Sequence, residues 1–300
     1  MDMTQNKCCR HGANLRRRRR RRRKILRSII FSCSIIAVAV FVAVESRMIT
    51  SGDGGTNKYD VEAGNNTYDN AVIENSKISE KNKIQNNQSM LDDIMNSTQY
   101  PKQLKDLALK NEEALEFVYD YPAEHVKEHT IDLTEEASMD SVPLFVQWDK
   151  RWGYEKYSGN FFAASGCGPT TLSMVVVYLT HDREASPIAV AKYSKEAGYS
   201  VDGSGSSWTL ISEGCRHYGV KAKAVALDES RMKAELDEGH PIVVNVGPGD
   251  FTDTGHFMVI TGYDDEGFSI NDPNSIEKSG KRWLFKNISS QIRAVWSMYV

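Results

Sequence analysis

Cysteine is scarce in this chain, and its spacing excludes two classes of small domain. Five cysteines occur among 300 residues, and no two of them form a C-x-x-C pair. Zinc ribbons need such pairs and disulfide scaffolds need a much higher cysteine density, so neither class fits. Hydrophobic residues make up only 40% of the chain, a share that predicts a segment outside any packed core.

Basic residues become scarce beyond the first fifty positions. Residues 1–50 carry 13 Lys or Arg and 2 Asp or Glu, whereas residues 51–300 carry 24 basic and 38 acidic residues. A body with that acidic excess repels phosphate groups over its surface. Nucleic acid is therefore excluded as a partner of the main body.

The basic end of the chain has the pattern of a membrane anchor. Residues 16–24 are all Arg or Lys, and the next 20 residues, 25–44, carry Arg27 as their only charge. That length is close to what a helix needs to cross a bilayer, and the positively charged flank stays in the cytoplasm. We therefore predict a basic cytoplasmic tail over 1–24, a single-pass transmembrane anchor over 25–45 and an extracellular C-terminal domain.

A cleaved signal peptide is the alternative, and it would yield a secreted protein. The apolar run is longer than a usual signal core, and its end at residues 42–46 offers no clean A-x-A cleavage site. The sequence favours the uncleaved anchor for these two reasons.

The composition changes again after the anchor. Between residues 51 and 70 the chain is rich in Gly and Asn, with almost no large apolar side chain. Such a segment cannot bury enough surface to offset the entropy of ordering, so we predict a flexible stalk over 46–98. Scattered apolar residues at 71–95 leave a frayed helix there as an alternative.

Residues 99–300 have the pattern of one folded domain, with its core over 142–300. Apolar side chains recur at helical spacing over 104–119, which predicts an amphipathic helix. The stretch 170–180 is apolar on nearly every side, which is typical of a buried central helix. Three further helices are predicted over 186–197, 208–218 and 229–238.

Strand patterns dominate the C-terminal part of this domain. A short strand is predicted over 142–148, ahead of the helices, and three more follow them over 241–246, 256–263 and 268–271. Helices first and an antiparallel sheet later predict an α+β fold.

The loop before the central helix ends in the sequence Gly166-Cys167-Gly168-Pro169. Proline in a first helical turn loses no hydrogen bond, so the thiol of Cys167 falls at or just before the helix N-terminus. The free N–H groups and the helix dipole favour the thiolate there. This position predicts a nucleophile, while a small buried hydrophobic residue is the structural alternative.

A thiolate nucleophile needs a base, and His256 suits that role best among the seven histidines. It opens a strongly apolar strand beside Gly255, so its ring can face a cleft while the strand is held in the core. A hairpin turn at 264–267 folds the strand 256–263 against 268–272 and brings Asp272 near His256.

Asp272 would then accept from one imidazole nitrogen and leave the other nitrogen facing Cys167. A core histidine satisfied by backbone and a plain N-D-P turn are the structural alternatives. Acyl transfer also needs donors for the developing oxyanion. The backbone N–H of Cys167 supplies one donor, and the side-chain amide of Gln147 is a candidate for the second, unless Gln147 is simply an exposed strand residue.

Five motifs in the chain, in this order, resemble the C-thirty-nine-like cysteine peptidases of bacteria. They are QWDKRWGY at 147–154, GCGPT at 166–170, GPGDFT at 247–252, GHF at 255–257 and NDPN at 271–274. The resemblance covers about residues 100–300 and implies a papain-like fold. It implies that Cys167 is the nucleophile and that His256 is the general base and acid. Asp272 would orient the imidazole, and Gln147 would stand at the oxyanion hole.

Two departures limit what this resemblance implies. In bacteriocin-leader peptidases of this type, the glutamine stands closer to the cysteine than Gln147 does to Cys167. Those enzymes are also fused to exporter ATPases, and this chain contains no G-x-x-x-x-G-K-[ST] motif. Leader-peptide processing is therefore not implied.

Two other functions remain open at the level of the sequence. Residues 125–129 fit the zinc-peptidase pattern H-x-x-E-H, but their polar neighbours give no apolar face to anchor a helix. A papain-like domain without activity could instead bind peptide or glycan on its stalk, for example through the Gly, Ser and Trp residues of 203–208.

The sequence thus predicts a membrane-anchored, extracytoplasmic cysteine peptidase that cleaves a peptide or amide bond through Cys167, His256 and Asp272. Its expected partners are a peptide or protein substrate and the membrane, and no metal or organic cofactor is expected. A transferase outcome on the same triad stays open, because acyl-enzyme chemistry does not fix the acceptor.

Overall fold

The computed structural model of this chain describes residues 66–300. The predicted basic tail (1–24), the predicted anchor (25–45) and the stalk up to residue 65 lie outside the described residues. Across 66–300, no helix combines the length and the apolar character needed to cross a membrane. The anchor therefore stays a prediction.

Most helices in the described part of the chain are short. In chain order they are α1 (Asn66–Asn96), α2 (Lys102–Lys110), α3 (Leu115–Tyr119), α4 (Tyr121–Glu124), α5 (Thr134–Ser138), α6 (Phe162–Ser165), α7 (Cys167–Thr180), α8 (Pro187–Glu196), α9 (Thr209–Ser212), α10 (Glu229–Asp237), α11 (Ile276–Ser279) and α12 (Phe285–Ile288). Turns of 3₁₀ helix lie at Glu112–Ala114, Gly214–Tyr218 and Ser289–Gln291.

The strands form one large antiparallel sheet and two small hairpins. In chain order they are β1 (Lys156–Tyr157), β2 (Asn160–Phe161), β3 (Ser200–Val201), β4 (Gly205–Ser206), β5 (Lys221–Ala224), β6 (Ile242–Val246), β7 (His256–Asp264), β8 (Gly267–Asn271), β9 (Arg282–Trp283) and β10 (Ile292–Tyr299). The large sheet has the order β5-β10-β6-β7-β8-β9, with every neighbouring pair antiparallel.

Both faces of the large sheet are covered by side chains of other elements. Successive residues of a strand point to opposite faces. Val243 and Val259 therefore share a core cluster with the buried residues of α7, while Val244 and Ile260 join Met232 of α10 in a second cluster. The central helix on an antiparallel sheet confirms the predicted α+β fold.

The first turn of α7 places the thiol of Cys167 where the sequence predicts it. Gly166 ends α6, and Pro169 lies in the first turn of α7, where it removes no intrahelical hydrogen bond. A close approach explains Gly168, because a Cβ added there would lie 2.5 Å from the hydroxyl oxygen of Ser206. No other residue type fits this position without moving the neighbouring loop.

Several predicted helices and strands are present, and the helices begin and end at the residues expected to cap them. The helix over 186–197 is α8, in which the hydroxyl of Ser186 accepts from the N–H of Ala189 and Gly198 takes a φ of +80° beyond the C-terminus. The helix over 229–238 is α10, capped by Asp228. The three predicted strands of the C-terminal part are β6, β7 and β8.

Residues 66–96, the last part of the predicted stalk, form α1, so the helix kept as an alternative over 71–95 is the one that the structure has there. No Gly or Pro interrupts this stretch, so nothing in it breaks a helix. Near the end of α1, Ile94 is fully buried in a cluster with Leu104 of α2 and Phe117 of α3. Order therefore begins well before residue 99.

The helix predicted over 104–119 is interrupted at Asn111. This residue has extended dihedral angles (φ −136°, ψ 99°), and its side-chain oxygen accepts from the backbone N–H of Glu113 at 3.0 Å. Asparagine competes with helical hydrogen bonds through local bonds of this kind. The apolar spacing predicts the buried face correctly but does not reveal the break.

Residues 142–148 do not form the strand that their pattern predicts. Pro143 has no N–H to donate, and the carbonyls of Val142 and Pro143 accept from the side-chain amide of Asn271 at 3.1 and 3.0 Å. The helix predicted over 208–218 is also split, into α9 and a 3₁₀ turn that meet at Glu213. Strands β5, β9 and β10 of the large sheet and the four strands of the two small hairpins have no counterpart among the predicted strands.

Candidate active site

Cys167 is the first residue of α7, and its side chain is half-buried. Burial raises the pKa of its thiol, but the hydrogen bond and positive charge of His256 outweigh that effect. The backbone N–H groups of Phe257 and Gly168 act in the same direction, so the pKa is lowered from its ordinary 9.0. The thiolate is therefore favoured at this helix start.

His256 and Asp272 meet because β7 and β8 form a tight hairpin. The turn joins Asp264 to Gly267, and the ladder continues to the pair Val259 and Asn271, despite a shift near Ile260. The next residue, Asp272, reaches back to the start of β7. There its Oδ1 accepts from Nε2 of His256 at 2.7 Å, and both side chains are buried.

The loop after Asp272 holds its carboxylate in place. Oδ1 of Asp272 also accepts from the backbone N–H of Asn274 at 2.8 Å, and the backbone N–H of Asp272 donates to the hydroxyl of Ser279 at 2.9 Å. Oδ2 of Asp272 has no hydrogen-bond partner within the described chain. Oδ1 of Asp272 thus accepts two hydrogen bonds, one from the imidazole of His256 and one from the backbone of Asn274.

The proton state of His256 follows from its two neighbours. Burial lowers the pKa of the imidazole, but the charge and hydrogen bond of Asp272, together with Cys167, raise it to about 10. Because Asp272 engages Nε2, the nitrogen left for the thiol is Nδ1. The lowered pKa of Cys167 and the raised pKa of His256 describe a thiolate–imidazolium pair.

Gln147 lies beside this pair and is buried rather than exposed. Its backbone N–H donates to the carbonyl of Pro273 at 2.7 Å, and its side-chain Nε2 donates to the carbonyl of Ala163 at 2.7 Å. A primary amide has two N–H groups, so one remains for another acceptor. The backbone N–H of Cys167, at the start of a helix, lacks an intrahelical partner as well.

The structure therefore brings together all four residues singled out in the sequence, Cys167, His256, Asp272 and Gln147. Two adjoining spaces lie beside this site, while Asp272 is buried behind His256. A space of about 530 Å³ next to His256, Gln147 and Asn274 is here called the histidine pocket. A space of about 690 Å³ next to Ser206, Trp208 and Arg293 is here called the arginine pocket. Cys167 borders both pockets.

Helix α2 supplies a wall of the histidine pocket that the sequence did not reveal. Gln103, Asp106 and Lys110 all border this space. Their spacing along the chain fits one side of a helix, but only the long-range packing of α2 shows that this side faces the thiol. The segment 203–208, considered in the sequence as a binding surface, borders the arginine pocket.

The residues just after α2 clamp the loop that follows Asp272. The side-chain amide of Asn111 donates to the carbonyl of Asn274 at 2.9 Å. The carboxylate of Glu113 accepts from the backbone N–H groups of Ile276 and Glu277 at 2.7 and 3.0 Å, and from the hydroxyl of Ser275. Glu113 thus caps the N-terminus of α11 from a distant part of the chain.

The H-x-x-E-H pair has partners of its own away from the cleft. His125 stacks on Tyr121 with ring centroids 4.1 Å apart, whereas His129 lies 3.7 Å from a carboxylate oxygen of Glu124. Across residues 66–300, no group of three or more His, Cys, Asp or Glu side chains could hold a metal ion.

The second described cysteine, Cys215, is buried in the core, and burial raises the pKa of its thiol to about 11.

Comparison with known proteins identifies similar chains. A family model described as Peptidase_C39 like family matches residues 139–300. The peptidase domain of Streptococcus ComA, a bifunctional ABC transporter involved in a quorum-sensing pathway, is 20% identical over 45% of this chain and 90% of that chain, with a TM-score of 0.36. A C39-like peptidase from Bacillus anthracis is 16% identical over 53% of this chain and 95% of that chain, with a TM-score of 0.34. No curated protein matches this chain.

Proposed function

We propose that this chain, which belongs to the Peptidase_C39 like family, is an active cysteine peptidase with Cys167 as its nucleophile. The family match over residues 139–300 makes this part a papain-like peptidase domain. One observation carries the step from family to activity. It is the buried 2.7 Å contact between His256 Nε2 and Asp272 Oδ1, beside a thiol whose pKa is lowered.

The first half of the reaction forms an acyl-enzyme. The thiolate of Cys167 attacks the carbonyl carbon of the scissile bond, and the carbonyl electrons move to oxygen. The backbone N–H of Cys167 and the free N–H of the Gln147 amide donate to that oxyanion. When the tetrahedral intermediate collapses, the imidazolium of His256 gives its Nδ1 proton to the leaving amine, and a thioester remains.

The second half consumes water. His256, now neutral, accepts a proton from a water molecule that attacks the thioester carbonyl carbon. Collapse of this second intermediate expels the sulfur of Cys167 as a thiolate, and the product leaves as a carboxylic acid. His256 ends as an imidazolium, so the starting pair is restored. Throughout, Asp272 stabilises the charged ring and keeps Nδ1 directed at the sulfur.

Cleavage and alkylation together test this proposal. The full chain in detergent is incubated with a fluorogenic peptide library, and Cys167→Ala is expected to lower the rate about a thousandfold or more. Cys215→Ala is the matched control and should keep activity, because its thiol is buried away from the cleft. Iodoacetamide at pH 6 should alkylate Cys167 in the wild type and much more slowly in His256→Ala.

A folded wild-type chain that neither cleaves any peptide nor takes up iodoacetamide at Cys167 would overturn the proposal. The domain would then be a binding module that keeps the papain-like fold without its chemistry.

We further propose that residues 25–45 anchor the enzyme in a membrane, with the peptidase domain outside the cell. The unbroken basic run at 16–24 and the 20-residue apolar stretch after it support this orientation. In intact cells, an impermeant maleimide should label Cys167 but leave Cys8 and Cys9 unlabelled until the cells are opened. Labelling of Cys8 and Cys9 in intact cells would contradict the orientation, and release of the chain by alkaline carbonate would contradict the anchor.

A further inference from the structure

The proposed reaction assigns each of the two pockets beside Cys167 to one half of a peptide substrate. In the proposed reaction, His256 gives a proton to the leaving amine, so the amine half must lie on the side of His256. That side is the histidine pocket, which His256 and Gln147 border. Neither residue borders the arginine pocket. The acyl half, which stays bonded to the sulfur, therefore extends into the arginine pocket.

The positive charge of the arginine pocket comes from one side chain. Among the described residues that border it, Arg293 is the only Asp, Glu, Lys or Arg. Its guanidinium forms no hydrogen bond or ion pair with any other residue of the part that the structure describes. The histidine pocket differs, since Asp106, Asp250 and Lys110 all border it. Apart from the thiolate of Cys167, this exposed and unpaired guanidinium is the one charge beside the pocket among the described residues, and it favours a negatively charged ligand group.

The backbone of β10 aims Arg293 into this space. Ile292 pairs with Val246 and Ala294 pairs with Asn245, so two steps along β10 match one step along β6. Arg293 is the extra residue of this bulge, and a bulge redirects the side chain it carries. The guanidinium passes over Gly247, where an added Cβ would lie 2.7 Å from its Nε. Glycine at 247 thus leaves the room that the arginine occupies.

An aromatic surface stands in the same pocket. Trp208 is 47% exposed, although most large apolar side chains of this domain are buried. Its ring is held edge-to-face against Trp296, with centroids 6.0 Å apart. A rigid, exposed indole beside a guanidinium suits a side chain that has methylene groups and ends in a carboxylate.

We propose that the arginine pocket binds an acidic side chain, Asp or Glu, on the acyl side of the scissile bond, with Arg293 pairing with its carboxylate. This inference rests on the proposed function and names the substrate class of the same site. Arg293 is a specificity-determining residue in this scheme, and it takes no part in the covalent steps.

Matched peptides test the pairing. Fluorogenic peptides that differ only in Glu, Gln or Lys at each of the four acyl-side positions are given to the full chain. The wild type should prefer Glu over Gln at one position by about tenfold or more in kcat/KM, the scale of a charge-assisted hydrogen bond. Arg293→Gln should abolish the preference for Glu over Gln, and Arg293→Glu should reverse it in favour of Lys.

Arg282→Gln is the matched control. Arg282 pairs with Asp264 at 2.6 Å and borders neither pocket, so the Glu preference should be unchanged in this variant. Equal rates for Glu and Gln at all four positions in the wild type would overturn the inference. A Glu preference that persists in Arg293→Gln would overturn it equally.

A binding measurement distinguishes failure of this inference from failure of the proposed function. Calorimetry on Cys167→Ala measures the affinity for the Glu and Gln peptides without turnover. Tighter binding of the Glu peptide that depends on Arg293 supports the acidic pocket even in a chain that cleaves nothing. Cleavage without any acidic preference supports the peptidase and overturns the pocket.

Discussion

At the scale of single residues, Asp272 sets the charge of the whole site. Burial lowers the pKa of His256, but the carboxylate of Asp272, together with Cys167, raises it to about 10. The hydrogen bond and charge of His256 in turn lower the pKa of Cys167 below its ordinary 9.0. The two titrations are coupled, so the rate profile reports the pair and neither group alone.

The dependence of kcat/KM on pH should be a bell with its alkaline limb well above neutral pH. The thiolate forms as pH rises through the lowered pKa of Cys167, which sets the acid limb. The imidazolium is lost as pH rises through the raised pKa of His256, about 10, which sets the alkaline limb. Cleavage assays between pH 4 and pH 11 measure both limbs. An alkaline limb at the ordinary histidine value of 6.5 would contradict the ion pair.

Replacing Asp272 should narrow the pH range over which kcat/KM is high. In Asp272→Asn the charge that raises the pKa of His256 is gone, so the alkaline limb moves to lower pH and the acid limb moves up. An amide oxygen still accepts from Nε2, and Cys-His-Asn sites are competent, so kcat/KM should fall only about tenfold. Asp272→Ala also loses the acceptor and should cost about a hundredfold. Equal rates for both variants would show that the acceptor is irrelevant.

At the scale of elements, the loop after β8 depends on a segment more than 160 residues earlier in the chain. Glu113 accepts from two backbone N–H groups at the start of α11, and Asn111 reaches the carbonyl of Asn274. Asp272 lies at the other end of this loop. These contacts of Asn111 and Glu113, here called the clamp, therefore link the positioning of His256 to the 3₁₀ turn after α2.

Glu113→Ala should lower both stability and activity. The change leaves the N–H groups of Ile276 and Glu277 without their acceptor, which costs about 1–3 kcal/mol in the free energy of unfolding. Urea denaturation measures that loss, and kcat/KM should fall with it because the Asp272 loop is less constrained. Glu116→Ala, an exposed change on the neighbouring α3, serves as control and should alter neither quantity. Full activity in Glu113→Ala would show that Asp272 holds its place without the clamp.

At the scale of the whole molecule, the N-terminal helices and the family-matched part form one working unit. The match begins at residue 139, yet α2 borders the cleft and its residues Leu104 and Leu107 are buried in a cluster with Phe161. A wall of the site thus comes from residues that the family model does not include.

Leu104→Ala should destabilise this unit much more than a similar change nearby. Leu104 is fully buried, so its truncation leaves a cavity that costs about 2–5 kcal/mol in the free energy of unfolding. Leu109 on the same helix is 57% exposed, and Leu109→Ala should change stability by about 0.5 kcal/mol or less. Denaturation curves of the two variants make the comparison. Similar losses would mean that α2 is not packed as described.

Sequence patterns predict the parts of the site that depend on neighbouring residues. They do not predict the parts that depend on contacts between distant segments. Cys167 at a helix start and the hairpin that joins His256 to Asp272 depend on neighbouring residues, so spacing and turn chemistry predict them. Lys110 and Arg293 reach the cleft only through the docking of α2 and a bulge in β10. No local pattern encodes either event, because each depends on which distant surface the element meets.

The break at Asn111 illustrates the same limit within one helix. Its apolar spacing continues across the break, but the asparagine side chain bonds to Glu113 and to Asn274, and the second of these partners is 163 residues away. Helix α1 shows the complementary limit. Its polar composition predicts a stalk, whereas the burial of Ile94 against α2 and α3 supplies the stabilisation that the composition lacks.

Because α2 lies at the rim of the cleft, its residues can affect the substrate selectivity of the proposed peptidase separately from the residues of the triad. Exposed residues of that helix, such as Gln103 and Lys110, can be exchanged without disturbing the thiol, the imidazole or the sheet that carries them. In the proposed peptidase, exchange of this one surface segment would change which peptides bind and leave the residues of the proposed triad unchanged.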